Sequence, residues 1–345
     1  MKFNRFVVAL LAAGTSLLAA AQSASPSLGP GTNGARYATD AYPGFDDEES
    51  GVKPERKEPR WWWCMCGGPA RETAAEQFAY CQELLMDGSP SAACRQLDNL
   101  VRQWPTAPEA WKAQQLLAET LLNRCDDAEE AFAEYRYLLD FYSLQCDYGA
   151  IADQLYRVAG ILKLEGKEVL FVRFANTVDV RRWHEMCVLR APGAKWVPEA
   201  MLTIASLRED EGRNEEAVKV YENLRNLYPE SAEAKRAFGR EARARVEILR
   251  ECGYNRARCQ DTVNYLQMAL RSCLPEDAAG IREDLEAIRG QVEEDSYWSA
   301  RFYDSKTRTT RSAIAAYEKF LEEYPQSSHA EEIRARLEVL KGEGK

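Results

Sequence analysis

The sequence predicts an all-α protein of about six helix pairs and one closing helix, and two observations carry that prediction. From Arg71 onward, apolar residues recur at spacings of three and four, the period of an amphipathic helix. Within that stretch a set of six residue types returns at fixed intervals. Gly212, Ala217, Tyr221, Leu224, Tyr228 and Pro229 have counterparts, all at one constant offset, in Gly88, Ala93, Leu97, Leu100, Trp104 and Pro105. Most of the set returns at Ala131, Tyr135, Leu138 and Tyr142, and again at Ala313, Tyr317, Phe320, Tyr324 and Pro325. Weaker copies end at Pro192 and Pro275.

Each repeated position has a physical role. The small Ala lets the second helix of a pair approach the first, and the aromatic and apolar residues beyond it fill the stripe between helices. Gly breaks the chain between the two helices. Pro ends the second helix and starts the next unit.

In chain order, Lys2 and Arg5 precede a short apolar run from Phe6 to Ala21 that ends in Ala19-Ala20-Ala21. A basic start, an apolar core and small closing residues predict a secretory signal peptide over 1–21. The run is shorter than the roughly 20 residues a membrane span needs, and no later segment reaches that length. Residues 22–60 are rich in Ser, Pro, Gly and charge, and their composition predicts a flexible linker. A Trp- and Cys-rich cap is expected over 61–71, and one repeat array over 72–345. The predicted pairs lie near 72–104, 108–142, 148–190, 196–228, 231–273 and 277–324, with a closing helix at about 328–341. The third pair contains an irregular insertion, 166–176. Such an array buries its core between neighbouring units and presents a long face to partners.

These repeats resemble tetratricopeptide repeats. The phrase from Glu293 through Ser296-Tyr297-Trp298-Ser299-Ala300-Arg301-Phe302-Tyr303, followed by Ala313 to Pro325, resembles the last helix pair of the BamD family. Those are periplasmic tetratricopeptide-repeat subunits of the machine that assembles outer-membrane β-barrels. The Arg190-Ala191-Pro192 segment followed by Pro198-Glu199-Ala200 extends the likeness. The resemblance implies a non-catalytic scaffold in the periplasm, peripherally associated with the outer membrane. Its implied partners are the membrane-embedded barrel-assembly subunit and unfolded outer-membrane proteins. Two positions depart from the family. Gln22 stands where the lipid-accepting Cys would be, so no lipid anchor is expected, and Ala316 replaces a common Arg. Another periplasmic repeat scaffold, serving division, wall or export complexes, is the alternative.

A net charge of −10 disfavours nucleic acid and anionic lipid as partners. The sequence nominates no catalytic residue, metal site or cofactor. Its two histidines, His184 and His329, lie far from any Cys pair and are expected at a surface or groove. Cys64-Met65-Cys66 suits disulfides that anchor the N-terminal arm; a thiol oxidoreductase or a metal site are the other readings. The run Trp61, Trp62, Trp63 suits a cap on the first repeat, or else a docking element. With export, the ten cysteines are free to pair. The short turn between Cys252 and Cys259 makes them the leading disulfide expectation, with Cys94–Cys125 and Cys146–Cys187 as further candidates.

One docking surface is predicted. In the helix near 277–304, Ile281, Leu285, Ile288, Val292, Ser299 and Tyr303 follow one stripe and are expected to pack inward. Glu294, Tyr297, Arg301 and Asp304 fall on the opposite face as neighbours at three- and four-residue spacing. An exposed Tyr beside an Arg and carboxylates is the mixture interface anchors favour.

Overall fold

The computed structural model describes residues 42, 43, 45, 51–59, 67–165, 177–306 and 310–343. The expectations for the leader, most of the linker, Trp61, Trp62, Trp63, Cys64, Cys66 and the 166–176 insertion fall outside the described residues. Among the described residues, thirteen α-helices follow one another. They are α1 (Ala74–Met86), α2 (Pro90–Gln103), α3 (Ala110–Arg124), α4 (Ala128–Phe141), α5 (Tyr148–Glu165), α6 (Thr177–Arg190) and α7 (Val197–Asp210). Then come α8 (Asn214–Leu227), α9 (Ala232–Cys252), α10 (Arg256–Ser272), α11 (Ala278–Lys306), α12 (Thr310–Glu323) and α13 (Ala330–Glu343). The six pairs and the closing helix fall where the repeat pattern puts them.

The helices begin and end for local reasons. Thr73, Asp127, Ser231 and Asn255 turn a side-chain oxygen onto a backbone N–H of the first turn, satisfying donors that a helix start leaves without partners. Gly88 and Gly212 close α1 and α7 with φ of +74° and +73°, a region open to glycine at little cost. Asp126 takes the same role after α3 with φ of +54°. Between pairs one turn recurs. The Ala107 N–H bonds the Trp104 carbonyl and the Ala110 N–H bonds that of Ala107; Ala191, Ala194 and Val197 repeat this, as do Tyr324, Ser327 and Ala330.

The repeated positions form the core. Ala93, Leu97 and Leu100, Ala131, Tyr135 and Leu138, Ala217, Tyr221 and Leu224, and Ala313, Tyr317 and Phe320 are all buried. Tyr142 adds a polar tie, its hydroxyl donating to the Pro105 carbonyl at 2.9 Å.

The chain divides into two compact units, Met1–Asn223 and Leu224–Lys345, where the sequence suggested a single array. In the first, α1 to α6 share one apolar core. In the second, one core joins α9, α10 and the first half of α11, and another joins the second half of α11 to α12 and α13. No helix among the described residues is long and apolar enough to cross a membrane.

Residues 51–59 correct the linker expectation. This stretch lies along α2 and α4, with the Lys57 side chain only 11% exposed. Composition predicts a flexible segment, but composition is blind to carboxylates that separate helices bring to one place.

Candidate functional site

The candidate site is built by a change of partner along α11. The helix has 29 residues and runs about 44 Å at 1.5 Å per residue. Its first half buries Ile281, Leu285 and Ile288, with Val292 beside them, against α9 and α10. Its second half buries Tyr297 and Ala300 against α12 and α13. At about 100° per residue, the second stripe is centred roughly 120° around the helix from the first.

That switch overturns part of the predicted surface. Ser299 and Tyr303, expected to pack, are exposed, whereas Tyr297, expected to be exposed, is 3% accessible. The sequence reading carried the first stripe down the whole helix, but the neighbours exchange sides near Val292. Tyr297, Arg301 and Asp304 are nevertheless brought together, as one edge of an open cleft of about 360 Å³ between α11, α12 and α13, while Glu294 does not line it.

Tyr297 is the floor of that cleft. His329 stacks on its ring at 3.9 Å, with Phe320 edge-on beneath. The Tyr297 hydroxyl donates to Glu332 at 3.0 Å and accepts from Arg301 at 3.0 Å. Burial, together with the Glu332 carboxylate, raises the phenol pKa. Glu294 lies 2.8 Å from Nε2 of His329, which stacks on Tyr297. Asp304 receives both Nε and NH2 of Arg336, at 2.8 and 3.0 Å, and the Tyr317 hydroxyl at 3.1 Å. Arg336 holds the Asp304 carboxyl below its ordinary pKa. The Tyr317 phenol is pushed up to about 12, by burial first and then by Asp304.

Arg301, Glu332 and Arg336 stay exposed, and α11 also exposes Trp298, Phe302 and Tyr303, which do not line the cleft. Arg301 also lies over the Trp298 ring at 5.4 Å. This arrangement has donors, acceptors and aromatic faces fixed in place, and it suits a protein segment. Glu332 and Arg336 are not nominated by the sequence, although their spacing of four residues on one face of α13 was the available signal; His329, expected at a surface or groove, is half-buried against Tyr297.

The other nominated residues fall as follows. Cys252 and Cys259 are unbonded: Cys252 is exposed at the end of α9, while Cys259 is buried in the core of α9, α10 and α11. The short turn brings the two helices together, but the thiols face different surroundings, and the expected bridge is absent. Cys94 and Cys125 approach to 4.0 Å. Burial, then Cys125, raises the Cys94 thiol to about 12. Cys146 is half-buried and Cys187 buried, both as thiols. His184, expected at a surface or groove, is buried instead. Its Nδ1–H donates to the Val180 carbonyl at 2.8 Å and Tyr156 meets its ring edge-on. Burial lowers its pKa to about 4. Among the described residues, no cluster of three or more His, Cys, Asp or Glu is arranged to hold a metal ion.

Comparison with known proteins agrees with the repeat reading. Residues 199–231 and 296–327 match the family described as tetratricopeptide repeat, and the second segment contains Tyr297, Arg301, Asp304 and Tyr317 of the cleft. Comparison with curated proteins gave no match. A tetratricopeptide repeat protein from Parabacteroides merdae is 12% identical over 78% of this chain and 98% of its own, with a TM-score of 0.28. The C-terminal part of a TPR repeat-containing protein from Cytophaga hutchinsonii is 12% identical over 76% and 88%, with a TM-score of 0.31. The helix pairs and their repeat positions carry the fold assignment. Tetratricopeptide repeats imply a protein–protein interaction scaffold.

Proposed function

We propose that this scaffold works in the periplasm in the assembly and insertion of outer-membrane β-barrel proteins, as BamD-like proteins do. The action is non-covalent. The α11–α13 cleft and the exposed aromatics of α11 dock the membrane-embedded barrel subunit, and other helix faces hold segments of unfolded barrel proteins. One observation carries the reading. The phrase that resembles the last BamD helix pair, Glu293 to Tyr303 with Ala313 to Pro325, supplies Tyr297, Arg301 and Tyr317 to this cleft, whose other wall is α13. Exposed Arg side chains over a fixed polar floor, on a helix that also exposes aromatic rings, are the composition of interface anchors.

The test is capture in intact cells. With a photoreactive side chain at position 302, the expected adduct is the barrel-assembly subunit, and the adduct should be lost in an Arg301→Glu chain. Recovery of wall-remodelling enzymes or a secretion pore instead would favour the alternative periplasmic scaffold. That alternative draws on Gln22 and Ala316, where the chain departs from the BamD pattern. Location has its own check. Mass spectrometry of the native protein should find a chain beginning near Gln22 without lipid, and an uncleaved or acylated N-terminus would oppose this.

A further inference from the structure

The Gly51–Pro59 arm is held as a ligand is held. Lys57 Nζ lies 2.8 Å from Asp98 of α2 and 2.6 Å from Glu134 of α4. The Lys57 backbone N–H donates to the Tyr137 hydroxyl at 3.1 Å, and Arg102 donates to the Glu58 carbonyl at 3.3 Å. The same ammonium lies 5.3 Å from the Tyr137 ring, and the Arg56 guanidinium lies 5.2 Å from the Phe141 ring. Lys53 is half-buried near Asp140. Two helices thus read the arm through its cations and its main chain. The two carboxylates keep partners of their own. Asp98 also receives Arg102 at 2.7 Å, and Gln114 hydrogen-bonds Glu134. The acidic site is therefore assembled by the helices, not by the arm.

We infer that the α2–α4 face is a receptor for an extended, lysine-bearing segment of another protein, and that residues 51–59 occupy it in cis as a displaceable internal ligand. Desolvated carboxylates are costly unless a cation meets them, so the face takes a partner whose Lys reaches Asp98 and Glu134 together. Contacts to the main chain and to cations make the site tolerant of the residues between them. A docked arm lowers the apparent affinity for the partner by the fraction of molecules in which the site is open.

The probe is a fluorescent peptide with the sequence of residues 51–59, and the protein is the full chain. Lys57→Ala weakens the internal ligand, and the probe should then bind about tenfold more tightly than it binds the unaltered chain. Adding Glu134→Gln should abolish that gain. Equal affinity for the unaltered and Lys57→Ala chains, or a gain that survives Glu134→Gln, overturns the inference. If Lys57→Ala does not fold, the unaltered chain decides. Excess probe should speed hydrogen exchange across residues 51–59, and a probe with Ala in place of its second Lys should not. Exchange that does not respond to saturating probe overturns the inference. So does a dimer of the unaltered chain that Lys57→Ala disperses, since the arm would then dock between copies.

Discussion

The two units place their charges in opposite ways. In Met1–Asn223, Arg190 and Asp140 form a bidentate pair with both side chains 0% exposed. Arg181 bonds Glu185 at 2.8 Å and Glu211 at 2.9 Å, and Arg208 reaches Glu185 at 3.3 Å, all deep in the same unit. In Leu224–Lys345 the pairs Arg250–Glu247, Arg256–Glu323 and Lys341–Glu318 sit at the surface. Glu241, buried between Arg225 and Arg245, is the second unit's counterexample. Among the described residues, large exposed aromatics follow the same divide: Tyr254, Trp298, Phe302 and Tyr303 all belong to the second unit. Buried ion pairs add little net stability, yet they tolerate only one geometry. The first unit is thus a specified frame whose acidic face is already covered by its arm. The second leaves polar and aromatic groups in reach of a partner.

The sharpest way to break this contrast is to remove one buried charge. Asp140 lies among Arg190, Arg136 and Lys53, and burial followed by Arg190 depresses the Arg136 pKa. Asp140→Ala strands these cations and should destabilise the first unit by about 3–5 kcal/mol. Glu318→Ala at the exposed Lys341 pair should cost no more than about 1 kcal/mol. Chemical denaturation of the two variants measures both, and similar losses would erase the distinction.

His184 sharpens the contrast through pH. Its folded pKa of about 4 lies below the ordinary 6.5 because the imidazolium has no solvent around it. Between those values the unfolded chain binds the proton and the folded one does not. The contribution is therefore present above pH 6.5 and disappears as pH falls toward 4, on the order of 3 kcal/mol across the window. Carboxylates titrate in the same range, so the measurement is a difference. The stability of the unaltered chain minus that of His184→Phe should fall with acid by this amount. Parallel profiles would mean that the ring is already solvated.

Much of the fold was legible because its signal is local and repeated. Ala, aromatic and apolar positions at fixed spacing place the second helices, and positive-φ Gly88 and Gly212 mark the breaks within pairs. The site was half legible. Glu294, Tyr297, Arg301 and Asp304 do share a face, but whether that face is wet depends on which helices meet it. Helical period alone does not say that α11 changes neighbours near Val292. The arm was illegible for the same reason: the order around Lys57 comes from Asp98 and Glu134, which lie 41 and 77 positions away. Cysteine spacing likewise gives loop length but not the direction of a thiol, as Cys252 and Cys259 show.

The smallest expected change in stability belongs to the exposed rim, and it carries the functional half of the contrast. Tyr297→Ala is a poor probe of docking, because deleting a buried aromatic ring costs about 3–5 kcal/mol by itself. Tyr297→Phe with Arg301→Glu keeps the ring beneath His329. It removes the hydroxyl that bonds Glu332 and reverses the exposed charge, for a loss of about 1 kcal/mol. Trp298 and Phe302, each 57% exposed, stand one helical turn apart on the outer side of α11. Replacing both with Ala removes no buried side chain, only the edge-on contact of Trp298 with Tyr297, and should shift stability by about 0.5 kcal/mol. If this rim is the anchor, capture of the partner should nonetheless fall by more than about tenfold, since exposed aromatics beside an Arg dominate such interfaces. Pull-down of the double variant, run beside its melting curve, reads both quantities at once. Undiminished capture with an unchanged melt would mean that the rim is only solvated surface, and the second unit would lose its claim to be the docking end.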